Sequence, residues 1–161
     1  MSDQTITDLA QNNGRHLLVA VDGSENSKRA VIFVAHFFLD VKDAFITILS
    51  IIPEPSEDYF ATDSERSKWI AEKKAEMQDI LAEYKEILRG AGYRDEQIDI
   101  RLVIRQCESI ADAILEEQEK IRSAIVVVGR RGLTHNEEFM FGSTSNKILH
   151  QAKNCAVLVV E

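Results

Sequence analysis

The segment that most constrains the fold is Ala124-Ile-Val-Val-Val128, a run in which every position is apolar. Side chains of a strand alternate between two faces, so such a strand is stable only where both faces are covered. Sheets covered on both faces are typically parallel and carry helices on each side. His16-Leu-Leu-Val-Ala-Val-Asp22 is a second apolar run, and it ends in an acid. These runs predict buried strands of an α/β domain.

Strand patterns alternate with helical patterns along the rest of the chain. The predicted strands are His16–Asp22, Ala44–Ile52, Ile98–Ile104, Ala124–Val128 and Ala156–Val160. A first helix is predicted after Ser24 or Asn26, either of which can cap it. The other predicted helices span Ser64–Arg89, Ser109 to about Lys120 and Ser143 to about Lys153. This order predicts an open five-stranded parallel sheet with helices on both faces, wound right-handedly. We expect one Rossmann-like domain over residues 14–161 and a flexible polar tail over residues 1–13.

The helical patterns also predict which side chains face the core. In the first helix, Phe37 belongs to the apolar positions. The long helix has an apolar stripe that includes Trp69 and Met77, and the stripe is expected to pack within the domain. In the third helix Ile110 is expected inside, and the acids are expected to form a solvated face (Glu116, Glu117 and Glu119). Two glycines, Gly90 and Gly92, are end signals for the long helix.

Composition narrows the class of function. The chain has 161 residues and a formal net charge of −8, which disfavours a general nucleic-acid binder and a polybasic membrane-surface protein. No apolar run approaches the ~18 residues of a spanning helix, and the first fifteen residues lack the apolar core of a secretory signal. We therefore expect a cytoplasmic protein. Cys107 and Cys155 form no CxxC motif and are expected to be reduced thiols, with a redox pair as the alternative.

Two segments that follow predicted strands, and one that opens a predicted helix, are candidates for chemistry. Ligands of open α/β sheets bind beyond the carboxyl ends of the strands, where the winding reverses. Asp22-Gly-Ser24 follows the first strand, Gly129-Arg-Arg-Gly132 follows the fourth, and Gly142-Ser-Thr-Ser145 opens the last helix. A helix N-terminus offers free N–H groups to a phosphate, and a preceding glycine permits close approach. A plain N-cap and tight-turn glycines are the alternative explanation of the same residues.

Charged residues and catalytic motifs give only limited evidence about the function. Arg130 and Arg131 carry two charges that could meet a polyphosphate, with simple solvent exposure as the alternative. The chain contains no GxxxxGK[ST] loop, no GxGxxG after the first strand and no GxSxG nucleophile elbow. The four histidines are scattered, and His135 is the one that lies within the glycine loop. A binding site is thus better supported than a catalytic one.

The spacing Gly129-x2-Gly132-x9-Gly142-Ser143 resembles the glycine signature of the ATP-binding branch of the universal stress protein family. The resemblance covers about His16 to Glu161. It includes Val19-Ala-Val-Asp-Gly-Ser24 at the start and Cys155-Ala-Val-Leu-Val-Val160 at the end. With strand patterns on both sides of the loop, the match is specific.

This resemblance implies a site and an assembly. Asp22 would lie beside the nucleotide, and the main chain near Ile51 would contact adenine. Gly129 and Gly132 would lie along the ribose and phosphates. The phosphate chain would be held by Gly142 and the hydroxyls after it (Ser143, Thr144 and Ser145). The ligand would be ATP, ADP or AMP with Mg²⁺, the strand order 3-2-1-4-5, and the assembly a homodimer paired through the last strand, Ala156 to Val160.

Three functions are compatible with these features. The first is a binding module that holds an adenine nucleotide and reports its state to a regulatory protein partner that the sequence does not identify. The second is a slow ATPase or self-phosphorylating protein, with hydroxyls at residues 143–145 as acceptors; phosphoryl transfer needs a positioned nucleophile and a charge clamp, and no dedicated set is visible. The third is a dimerisation module that binds no nucleotide. The binding module is favoured over an enzyme.

Overall fold

The computed structural model describes residues 13–130 and 143–161. The strands of these residues form one parallel sheet in the order β3-β2-β1-β4-β5. The strands are β1 (Asn13–Ala20), β2 (Phe45–Pro53), β3 (Ile98–Arg105), β4 (Ser123–Gly129) and β5 (Ala156–Val160). The helices are α1 (Glu25–Phe37), α2 (Asp63–Ala91), α3 (Ile110–Ile121) and α4 (Ser143–Gln151), with short 3-10 turns at Glu57–Tyr59 and Asp95–Gln97. The predicted fold class and strand order are confirmed.

Helices cover both faces of the sheet, as the all-apolar run of β4 requires. Val126 and Val127 are both fully buried although they point to opposite faces. Val127 belongs to the core beneath α1 and α2, and Val126 belongs to the core beneath α3 and α4. Each buried side chain of this size contributes roughly 1.5–3 kcal/mol to folding. The two cores together hold the carboxyl ends of the central strands in place.

Side-chain caps begin three of the helices. The side-chain oxygens of Ser24, Thr62 and Ser109 accept hydrogen bonds from backbone N–H groups in the first turns of α1, α2 and α3. Each cap of this kind is worth about 1 kcal/mol. At the other end of α2, Gly92 has a φ of 123° and is the C-cap, whereas Gly90 lies inside the helix. Of the two predicted end signals, only Gly92 is therefore at the end.

Three predicted orientations are wrong. Glu117 is 6% exposed rather than solvated, because Arg101 of β3 lies beneath α3 and its guanidinium reaches the carboxylate at 3.5 Å. Lys120 supplies a second partner at 2.6 Å, and such pairing is what makes a buried charge tolerable. Phe37 is 68% exposed and stacks on Phe33 at the end of α1. Ile110, expected inside, is 37% exposed.

β1 begins three residues before its predicted start at His16 and ends two residues before its predicted end at Asp22. Asn13, assigned to the polar tail, is the first residue of β1. The rest of the predicted tail, residues 1–12, lies outside the described residues.

Candidate functional site

A cavity of about 540 Å³ opens at the carboxyl edge of the sheet, at the point where the strand order reverses between β1 and β4. Its floor is formed by the ends of β1, β2 and β4, and its walls by α2, α3 and the first turn of α4. Seven of the predicted site residues line it: Asp22, Ile51, Gly129, Arg130, Ser143, Thr144 and Ser145. The other three, Arg131, Gly132 and Gly142, lie outside the described residues. A crevice is therefore present at the predicted reversal of the strand order.

The turn after β1 is built around Asp22. Its Oδ1 accepts a hydrogen bond from the N–H of Ser24 at 2.9 Å, and Ser24 in turn caps α1. Gly23 has a φ of 81°, and a Cβ there would meet Cδ1 of Ile80 at 3.0 Å. Ser27 completes the turn, and its Oγ lies 3.3 Å from the hydroxyl of Tyr84. Burial raises the pKa of Tyr84, so this hydroxyl stays protonated.

Ile51 presents its main chain at the right place for a ligand. The C=O of Leu49 accepts a hydrogen bond from the N–H of Val21, so this residue's backbone groups face β1. Backbone groups of alternate strand residues point the same way, so those of Ile51 also face the β1 side. Regular pairing of β1 with β2 ends at Ala20 and Leu49. The N–H and C=O of Ile51 are thus aimed beyond the end of β1, at the cavity.

Gly129 serves the packing of α1 as well as the cavity. A Cβ at this position would lie 2.8 Å from the backbone C and O atoms of Asn26, in the first turn of α1. No side chain fits there unless the strand or the helix moves, because carbon atoms pack at about 3.5–4.0 Å. The first glycine of the predicted signature therefore has a structural reason that is independent of any ligand.

Arg130 connects three elements. Its N–H donates to the C=O of Val160 at 2.8 Å, and its C=O accepts a hydrogen bond from Oγ of Ser145 at 3.1 Å. Its guanidinium forms an ion pair with Glu161. The Arg130 side chain, predicted to bind a phosphate, is thus not simply solvated, because it already pairs with a carboxylate. A phosphate at this point would compete with an exposed carboxylate.

The hydroxyls at the start of α4 differ from one another. Ser143 is exposed and Thr144 is half-buried, and both line the cavity. Ser145 is 3% exposed and donates to the main chain of Arg130. It therefore fixes the position of α4 against β4, and the first two hydroxyls are better placed to meet a ligand.

The sequence did not identify the walls of the cavity. Lys73, Glu76 and Met77 of α2 line one side, and Lys73 and Glu76 form an ion pair at 3.0 Å. Ile110 of α3 lines the cavity as well, which accounts for its exposure. The length of α2 could have indicated this wall. The helix has 29 residues and spans about 43 Å, whereas β2 has nine residues and spans about 30 Å, so the helix extends past the strand.

Ser50 also lies among the lining residues, and its buried Oγ has no hydrogen-bond partner among the residues that the structure describes. Within residues 13–130 and 143–161, no three His, Cys, Asp or Glu side chains come together as a metal site. Over the same residues, no helix combines the length and the apolar character needed to cross a bilayer.

Comparison with solved structures identifies the fold. Hypothetical protein MJ0577, solved as a test case of structural genomics, has a TM-score of 0.77 and 20% identity over 91% of this chain and 94% of its own. A universal stress protein in complex with cAMP has a TM-score of 0.66 and 23% identity over 92% and 97%. The universal stress protein of Archaeoglobus fulgidus in complex with dAMP has a TM-score of 0.65 and 18% identity over 94% and 100%.

Sequence comparison gives the same result at the level of the family. The model of the Universal stress protein family matches residues 14–161. No curated protein is significantly similar to the chain.

Proposed function

Because the chain belongs to the universal stress protein family, and because its cavity has one apolar and one polar end, we propose that it binds an adenine nucleotide there. The two-ended cavity at the switch point is the observation that carries this proposal. A base needs an apolar slot with a few directed polar groups, and a phosphate needs N–H and hydroxyl donors. Both environments occur in one crevice.

The apolar end suits a purine ring. Met77 and Ile80 of α2 line it from one side of the sheet, and Ile110 and Ile114 of α3 line it from the other. The main chain of Ile51 is aimed between them and offers one donor and one acceptor to the edge of a base. Covering the exposed part of Ile110 would add a favourable apolar contribution.

The polar end suits phosphates. Ser143 and Thr144, at the start of α4, line the cavity together with Arg130, and the first N–H groups of a helix have no partner within the helix. Arg131, Gly132 and Gly142 belong to the same proposed site on the basis of the glycine signature. Asp22 lines the same cavity, and Mg²⁺ is commonly held by one or two carboxylates together with substrate phosphates. The residues present therefore fit a Mg²⁺–nucleotide complex in which phosphates supply most ligands.

The known complexes support the ligand class. Two proteins with the same fold are described with cAMP and with dAMP, both adenine nucleotides. We infer that ATP is the ligand of this chain, with ADP and AMP as the other members of the class. We propose that the chain acts in the cytoplasm as a nucleotide-responsive regulatory module of the universal stress protein type rather than as an enzyme.

A homodimer through β5 is part of the proposal. β5 is an edge of the sheet, and Val157, Leu158 and Val159 are only partly buried. Pairing Ala156–Val160 with the same strand of a second copy would satisfy the backbone groups of this edge. We also propose a second protein as the partner that responds to the nucleotide state. It would be recognised as a protein that binds this chain in the presence of nucleotide and not in its absence.

Calorimetric titration with ATP and with AMP, each with and without Mg²⁺, tests the binding proposal. We expect saturable binding of one nucleotide per chain, strengthened by Mg²⁺ for ATP. Arg130→Met should weaken ATP more than AMP, whereas Arg29→Met on the exposed face of α1 should change neither. If the wild-type protein binds neither nucleotide, the proposal fails and the nucleotide-free dimerisation module takes its place.

A slow phosphoryl-transfer activity is the second candidate, favoured by the placement of Ser143 and Thr144 beside the proposed phosphates. In that reaction a hydroxyl would attack the terminal phosphorus, lose its proton and release ADP. Intact-mass measurement after incubation with Mg·ATP would show a phosphorylated chain that is missing in Ser143→Ala/Thr144→Ala. An unmodified wild-type chain would exclude the self-phosphorylation reading.

A further inference from the structure

The first half of α2 stands over the carboxyl edge of the sheet with little packing of its own. The buried residues of this helix, Leu81, Tyr84 and Leu88, all belong to its second half. None of residues 63–76 is buried. An isolated helical segment of this length is marginally stable in water. The contacts that fasten it to the domain therefore decide where it lies.

Two contacts connect this half to the segment that follows β2. Nε of Arg66 donates to the Oε1 atom of Glu54. The Glu54 side chain is only 7% exposed, and its residue is fixed because its N–H donates to the C=O of Arg105 at 2.9 Å. Nearby, the rings of Phe60 and Trp69 meet edge to face at 5.9 Å. A carboxylate that is nearly buried needs a partner, so the Arg66 contact is specific rather than incidental.

This fastening point lies next to the cavity wall. Pro53, the residue before Glu54, lines the cavity, and so do Lys73 and Met77, about two and three turns after Arg66. If the beginning of α2 moved away from β2, the wall would move with it. The polar end of the cavity, formed by α4 and Arg130, would keep its place.

We propose that Glu54 and Arg66 form a latch that holds the first half of α2 over the cavity, and that both are positioning residues for nucleotide binding. This inference rests on the proposed nucleotide site. With the latch broken, α2 would occupy the binding-competent position in only part of the population. The apparent affinity would then fall in proportion to that fraction, without the loss of any direct contact to the ligand.

The test compares two double variants of the full chain. Glu54→Gln/Arg66→Met removes both charges of the latch, so no unpaired buried carboxylate remains. Lys68→Met/Glu72→Gln is the matched control, because it removes an exposed ion pair (3.8 Å) from the same helix. With Mg·ATP as the probe, we expect about 3- to 10-fold weaker binding in the latch variant, corresponding to a competent fraction of roughly a third to a tenth. The control variant should bind like wild type.

Hydrogen exchange supplies a readout that overall destabilisation would not reproduce. In the latch variant without nucleotide, amides of residues 67–77 should exchange faster, while those of residues 81–91 should keep their protection. Wild-type ATP affinity in the latch variant would overturn the latch and leave the nucleotide site standing. If wild type itself binds no nucleotide, the proposed function fails, and unchanged exchange at residues 67–77 would separately overturn the latch.

Discussion

Gly129→Ala separates a packing role of the first signature glycine from a ligand role. The added Cβ would lie 2.8 Å from the backbone C and O atoms of Asn26, about 0.7 Å inside the shortest comfortable carbon contact. Both sides of this contact are backbone, one at the end of β4 and one in the first turn of α1. Neither can turn away as a side chain would. We therefore expect the free energy of unfolding to fall by about 1–3 kcal/mol.

Gly90→Ala is the matched control because a Cβ there meets nothing within 4 Å. This glycine lies in the last turns of α2 and has no positive φ, so alanine should stabilise the protein by about 0.4–1 kcal/mol. Urea unfolding followed by far-UV circular dichroism measures both. The midpoint should fall by about 0.5–1.5 M for Gly129→Ala, with an unchanged slope, and should rise slightly for Gly90→Ala.

The nucleotide affinity of the same two variants completes the experiment. The packing argument would be refuted if Gly129→Ala unfolded at the wild-type midpoint. If that variant also lost ATP binding, the glycine would serve close approach of a phosphate alone. If it were destabilised and still bound ATP, the packing role would account for the residue.

Three further predictions concern the cores and caps. Burial lowers the pKa of His16 below its ordinary 6.5, so the unfolded chain binds this proton more tightly than the folded one. Its contribution to stability should be complete above about pH 6.5 and lost as the pH falls through the lowered pKa, and urea midpoints should show a weaker loss in His16→Gln. Leu88→Ala, at a fully buried position of α2, should cost about 2.7–5 kcal/mol in urea unfolding, and a loss below 1 kcal/mol would contradict the assigned core. Ser24→Ala should cost about 1 kcal/mol in the same assay through the lost cap of α1, and a wild-type midpoint would show that Ser27 N–H finds another partner.

The sheet was predictable because its central strands are buried on both faces. A run such as Ala124–Val128 has no amphipathic alternative, and β5 coincides with its predicted bounds at both ends. Of the two candidate caps of the first helix, Ser24 and Asn26, the structure has Ser24 as the cap, and short-range hydrogen bonds define such a position. Ser109, predicted as the first residue of the third helix, is its N-cap.

The predictions that were wrong concern side chains whose environment depends on contacts between distant parts of the chain. The periodicity of α3 predicts a solvated Glu117, and its burial depends on Arg101, which comes from a distant strand and joins Lys120 as a partner of the carboxylate. Ile110 looks like a core residue and instead lines a cavity. Periodicity did not predict the cavity wall that contains Lys73 and Glu76, because it indicates which side of a helix is apolar and not how far the helix extends past the sheet.

One residue at the end of β4, Arg130, contacts both the edge strand and the first turn of α4 through its main chain. The N–H of Arg130 holds the end of β5 through Val160, and its C=O holds the first turn of α4 through Ser145. The edge strand and the mouth of the crevice therefore share a mechanical joint that is a single residue wide. The two groups belong to adjacent peptide units joined at the Cα of Arg130, so a displacement of this residue disturbs both contacts. Any molecule that reorients Arg130 from within the crevice would consequently act on the outermost strand without a relay of intervening side chains.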